Sequence, residues 1–135
     1  MKKIIFIIAL LLTQSLFAKS NFDKFGGEVK LKKIVNEFTV KLQNNVHMKA
    51  FFKETDIKRF QEKLYEQFCS ELGGPCKYTG KNMKRSHKGH EINQNNFYKL
   101  VEILQETMSE NEISNSLQNK LLKKLAPMYK DIVNN

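Results

Sequence analysis

Of the residues able to do chemistry, His87 stands in the most informative setting. The stretch from Leu72 to Ile92 reads LGGPCKYTGKNMKRSHKGHEI. It sets Gly73-Gly74-Pro75, Tyr78-Thr79-Gly80 and Met83 ahead of His87, with Gly89 and Ile92 behind it. A neutral imidazole is a good metal ligand, and its second ring nitrogen is usually held by a neighbouring acceptor that fixes the tautomer. The other two histidines are weaker candidates. His90 can face a bound group or solvent, and His47, ahead of Phe51-Phe52, reads as a surface residue.

Cys69 and Cys76 flank the Gly73-Gly74 turn, which could fold the chain back and bring them together. A bridge needs the two Cα atoms within roughly 7 Å. The alternative is two separate thiols, with Cys69 a small core residue at a helix end.

These residues must be positioned by helices, because apolar residues recur at helical spacing and nothing alternates like a strand. Leu31, Ile34, Val35, Phe38 and Leu42 form one stripe, and Ile57, Phe60, Leu64 and Phe68 a second. Phe97, Leu100, Val101, Leu104 and Met108 form a third, and Ile113, Leu117, Leu121, Leu125, Met128 and Ile132 a fourth. Gly26-Gly27 precedes the first helix. Thr55-Asp56 caps the second, and Gly73 stops it in a left-handed conformation. Asn93 caps the third helix, and Ser109-Glu110-Asn111-Glu112 reads as a capping box opening the fourth. Pro127 predicts a kink or break inside that last pattern. Between Gly73 and Ile92 a long loop is expected, with at most a short helix from Met83 to His87. Loops of that length in a small domain are usually functional.

The chain has 135 residues, enough for one domain. Lys2-Lys3, the apolar run Ile4 to Leu12 and the stretch Thr13 to Ala18 have the layout of a secretory signal peptide. The run is shorter than the roughly 20 apolar residues of a spanning helix. Cleavage after Ala18 would leave residues 19–135 as the domain, with no stable membrane insertion; the alternative is an uncleaved anchor. Without Lys2 and Lys3 the 23 basic residues become 21 against 14 acids, still a basic balance. The lysines are scattered, as on a solvated surface, and an exported protein rarely meets nucleic acid. Export, most simply to a periplasm, would put both cysteines in an oxidising compartment.

The motifs around His87, with both glycine pairs, Val35-Asn36-Glu37-Phe38, Phe51-Phe52 with Thr55, and Leu125-Ala126-Pro127 with Asp131-Ile132-Val133, closely resemble the truncated haemoglobins of group one. The resemblance runs from Phe25 to Val133. It implies an all-α fold, a two-over-two helical sandwich enclosing a haem, with His87 as the proximal axial ligand to iron. It implies haem b held without a covalent bond, and the absence of CxxCH agrees that c-type attachment is not indicated. It also implies Met83 on the proximal face, Thr55, Lys63 and Tyr78 reaching the propionates, and Phe52, Phe68, Phe97 and Leu100 walling the pocket. His90 could face a propionate.

The chain departs from the family on the distal side. The family commonly has a tyrosine after the residue matching Phe38, where this chain has Thr39. It commonly has a glutamine after the residue matching Lys63, where this chain has Leu64, with the apolar Phe60 one turn earlier. The expected donors are therefore gone, apart from the Thr39 hydroxyl. Bound O2 is polar and gains more than CO from a donor, so tight oxygen storage is disfavoured. Three readings stay open: a five-coordinate haem favouring NO or CO, weak reversible O2 binding aided by Thr39, and Lys63 as a sixth ligand, against which stands Lys63 as a propionate partner.

The function implied is an exported, oxygen-carrier-like haem protein that reversibly binds O2, NO or CO. An enzymatic alternative is NO dioxygenation or a peroxidase-like reaction, which would need a reductant and is disfavoured by the apolar distal side. A second alternative is a helical interaction module without haem.

Overall fold

The computed structural model describes residues 18–134. The signal-peptide expectation falls almost wholly outside them. The described residues form seven α-helices and two 3₁₀ turns, without a strand among them. The long helices are α2 (Gly27–Asn44), α3 (Ile57–Glu71), α5 (Gln94–Glu110) and α6 (Asn115–Leu125). They carry the four apolar stripes. Three short helices, α1 (Asn21–Lys24), α4 (Met83–Ser86) and α7 (Tyr129–Ile132), and 3₁₀ turns at Lys49–Phe52 and Ala126–Met128 fill the connections.

Helix α2 packs on both α3 and α5, while α6 packs on α3, α5 and α1. The result is two helix pairs, α2 with α3 and α5 with α6, around one core. Leu31, Ile34, Val35, Phe38 and Leu42 of α2 are all buried, as are Leu104 and Met108 of α5 and Leu121 of α6. A buried aliphatic or aromatic side chain contributes about 1.5–3 kcal/mol relative to an exposed one, so these stripes set the packing.

The predicted starts of α3 and α5 hold. Asp56 Oδ1 accepts the Arg59 amide at 3.1 Å. Asn93 and Asn96 form a reciprocal box, each side chain bonding the other's backbone N–H. Gly73 ends α3 with φ +75°, and the Ala126-Pro127-Met128 turn ends α6 where proline removes a backbone donor.

The capping box at Ser109 is a correction. Ser109 and Glu110 are the last residues of α5, and the cap of α6 is Ser114, whose Oγ accepts from the Leu117 amide. Burial decides this: Thr107 and Met108 lie fully inside the core, so α5 continues through its last turn. The chain then reverses at Asn111 and Glu112, where Glu112 takes φ 60°. Helix α1, capped by Ser20 Oγ, was not foreseen because four residues carry no periodicity.

The structure joins Cys69 to Cys76, with Cα atoms 5.7 Å apart. Gly74 makes this turn possible. A Cβ there would lie 2.6 Å from the Phe22 ring and 2.8 Å from Cys69 Sγ.

Candidate functional site

The loop from Gly73 to Asn93 is tied at both ends. At its start the Cys69–Cys76 bridge pins it to the end of α3. Thr79 then bonds Glu66 of α3 through its backbone N–H at 3.1 Å and its hydroxyl at 2.9 Å. At its far end Asn134 grips residues 90–92: its Nδ2 donates to the His90 carbonyl at 2.6 Å, and its Oδ1 accepts the Ile92 amide at 3.0 Å. Between the ties, Asn82 caps the single turn α4 by accepting from the Arg85 amide at 2.9 Å. His87 is the residue that ends that turn.

His87 lines a cavity of about 440 Å³ bounded by α3, α4, α5 and the C-terminal segment. Pockets for cofactors and small molecules fall in the range of about 300–1,000 Å³. His87 Nδ1 lies 2.7 Å from the Met83 carbonyl oxygen. A carbonyl can only accept, so Nδ1 carries the proton and the lone pair resides on Nε2. Burial holds the imidazole below its ordinary range. The Met83 bond opposes that shift and the neighbouring His90 reinforces it. A neutral ring with one nitrogen anchored is the state an axial ligand requires.

The cavity walls are mainly apolar. Phe38, Phe52, Phe60, Leu64, Phe68, Phe97, Leu100 and Met83 all line it. Phe52 and Phe60 pack at a 45° tilt with ring centroids 5.3 Å apart, and Tyr129 meets the Phe97 ring edge-on at 5.0 Å. Thr55, Lys63, Tyr78 and His90 also line it, whereas His47 lies exposed and away from it.

Thr39 is the exception among the expected site residues. It is buried but does not line the cavity. Its Oγ1 donates to the Asn36 carbonyl at 2.9 Å and accepts from Gln61 Nε2 at 2.7 Å. The hydroxyl proton is thus committed to the backbone of its own helix, and the expected distal donor is corrected to an internal tie between α2 and α3.

Two expected carboxylate donors are also engaged within the protein. The Tyr78 hydroxyl donates to the Lys81 carbonyl. Lys63 Nζ sits 3.1 Å from Glu66 Oε1 and 2.5 Å from Thr79 Oγ1, which ties the loop to α3. Arg59 and Lys81 line the cavity and form no ion pair among the described residues. Sequence reasoning missed both, because single cations between helix stripes look like solvated surface. It also missed Gln67, a buried cavity residue whose Nε2 meets the thioether sulfurs of Met83 and Met128 at 3.5 Å each. Its spacing was a usable signal: Phe60, Leu64 and Gln67 follow i, i+4, i+7 on one face of α3.

These features fit a haem. The aromatic and aliphatic walls would suit a flat macrocycle, His87 Nε2 would offer its iron a nitrogen donor of fixed tautomer, and Arg59 and Lys81 would offer cations to its two carboxylates.

Comparison with known proteins agrees with this geometry. The profile of the bacterial-like globin family matches residues 20–134. A group 1 truncated haemoglobin of Tetrahymena pyriformis is 31% identical over 112 residues, covering 83% of this chain and 93% of that protein. One from Mycolicibacterium paratuberculosis is 29% identical over 113 residues, covering 84% and 83% respectively. The crystal structure of the Tetrahymena pyriformis truncated haemoglobin in its Fe(III) form superposes with a TM-score of 0.82 at 30% identity, over 87% of this chain and all of that one. The 2/2 haemoglobin of a Synechococcus species, a cyanomet structure with covalently attached haem, shares the fold at a TM-score of 0.80 and 20% identity, over 87% of this chain and 100% of that one.

Proposed function

Because this chain belongs to the bacterial-like globin family, among the group 1 truncated haemoglobins, we propose that it is an exported haem protein that reversibly binds a diatomic gas and favours NO and CO over O2. Truncated globins bind gases through haem, and haem iron held on one side by an imidazole supplies an open coordination position for the ligand. His87 is the residue assigned to hold it, with Arg59 and Lys81 assigned to the propionates.

The observation that carries the ligand preference is that α2 and the first half of α3 bring no uncommitted donor to the cavity: Arg59 is assigned to a propionate, and Lys63 Nζ is held by Glu66 and Thr79. Phe38, Phe60 and Leu64 offer none, and Thr39, the expected exception, spends its proton on the Asn36 carbonyl. A hydrogen bond to a charged group contributes about 1.5–3 kcal/mol, and each ~1.4 kcal/mol is a factor of ten. O2 loses that contribution here, and CO loses much less.

Non-covalent haem b is the form proposed, since both cysteines are consumed by the Cys69–Cys76 bridge. That bridge also supports export to a periplasm-like compartment, where disulfides persist, in line with the layout of residues 1–18. The test is the ratio of O2 to CO affinity in the haem-reconstituted protein. A ratio far below that of a relative with polar distal residues supports the proposal. Tight O2 binding with slow release contradicts it.

A further inference from the structure

Apart from Lys81, assigned above to a propionate, the cations of the segment that carries His87 have no use in haem binding. Between Glu71 and Glu91 there is no acidic residue, while Lys77, Lys81, Lys84, Arg85 and Lys88 are all present. All five are exposed. None forms an ion pair among the described residues, in contrast with Lys32, Lys33, Lys41, Lys63 and Lys99. Nearby carboxylates are few: Glu66 is held by Lys63 and Thr79, and Glu91 and Asp131 lie at the margins of the row. The same segment supplies Gly80, Lys81, Met83, Ser86, His87 and His90 to the cavity wall. The basic row therefore borders the cavity on the side of the iron-binding histidine. It is also held in place by the disulfide, Thr79–Glu66 and Asn134 ties.

We propose that this row is the docking surface for an acidic one-electron carrier protein that reduces the bound haem. This rests on the haem reading above and names its partner. Ferric haem binds O2 and CO only after reduction, so a gas-binding globin needs a donor. One electron leaves the donor's reduced cofactor and enters the iron, which passes from Fe(III) to Fe(II); no bond is made or broken in the protein. Complementary charge orients such short-lived complexes and raises their encounter rate. An anionic membrane fits the row less well. Surface-binding segments insert apolar side chains beside their cations, and the exposed large hydrophobic residues here, Val29, Val40, Val46 and Tyr98, all lie outside residues 77–91.

The experiment is isothermal titration of the full domain with flavodoxin, an acidic one-electron carrier, at 50 and 300 mM NaCl, with vesicles of 30% anionic phospholipid in parallel. The variants are Lys84→Glu/Arg85→Glu/Lys88→Glu and, as a control of equal charge change, Lys19→Glu/Lys24→Glu/Lys120→Glu on the α1–α6 side. Lys84→Gln/Arg85→Gln/Lys88→Gln repeats the test with a milder change. We expect salt-sensitive binding, weakened about tenfold or more by the first reversal and less than about threefold by the control. Equal weakening by both reversals, no flavodoxin binding at 50 mM NaCl, or row-dependent binding to vesicles alone would each overturn the proposal. Because the titration does not require haem, failure of haem uptake and failure of docking are separately visible.

Discussion

Gln61 of α3 donates its side-chain amide to Thr39 Oγ1 of α2 at 2.7 Å, and Thr39 donates onward to the Asn36 carbonyl. Two polar residues from facing helices thereby satisfy each other behind the cavity wall. The polar groups at this corner act in packing α2 on α3, while Phe38, Phe60 and Leu64 of the same two helices line the cavity.

The first prediction follows directly. Thr39→Val changes the O2 dissociation rate by less than about threefold, because the hydroxyl proton it removes was never available to a ligand. It leaves the Gln61 amide short of an acceptor and destabilises the fold by about 1 kcal/mol. Leu64→Gln does the opposite: it introduces a donor into the cavity and slows O2 release by about ten- to a hundredfold. Stopped-flow O2 displacement and urea denaturation of the three proteins check both halves.

Lys63 gives a second prediction. With its Nζ on Glu66 and Thr79, it holds the loop to α3. Lys63→Ala should leave the ferric absorption spectrum of the reconstituted protein unchanged in spin state. A low-spin resting form that becomes high-spin in the variant would instead show lysine on the iron.

The disulfide closes a short loop, with a sequence separation of 7. Loop-closure entropy for that size amounts to about 2–2.5 kcal/mol. Cys69→Ser/Cys76→Ser should lower the unfolding free energy by about that much. It should also speed haem loss, since the bridge anchors the segment that carries His87. Denaturant titration and haem transfer to an acceptor globin measure the two effects.

A pH dependence follows from His87 in the haem-free protein. Burial holds its folded-state pKa below the ordinary imidazole range. The unfolded chain therefore takes up the proton first as pH falls. The neutral ring's contribution to stability is complete above about pH 6.5 and is lost as pH drops from there toward the lowered folded value. Unfolding free energies from pH 7.5 down to 5 should decline in the wild type and decline less in His87→Gln. Equal slopes would contradict the assignment.

The four long helices were legible because each carries an apolar stripe with period 3.6, and the caps at Asp56 and Asn93 lie just where those stripes begin. His87 was legible from its motif. The misread cap shows the limit of local chemistry. Ser109-Glu110-Asn111-Glu112 has the right residues for a box, but the burial of Thr107 and Met108 keeps α5 running through them. Thr39 could not be placed from sequence, because its partner Gln61 is 22 residues away on another helix. The resemblance implies Lys63 and Tyr78 as carboxylate donors, whereas the partners they have here, Glu66 with Thr79 and the Lys81 carbonyl, come from the folded loop.

The central claim is that His87 is the residue through which this fold holds haem iron. The most direct measurement is the absorption spectrum of residues 19–135 titrated with haemin, in ferric, ferrous and ferrous-CO forms, for wild type and His87→Gly, with and without added imidazole. The account predicts stoichiometric uptake with a strong Soret band in the wild type, an altered or lost spectrum in His87→Gly, and recovery of the wild-type spectrum with imidazole. Identical spectra and uptake in the two proteins would contradict it.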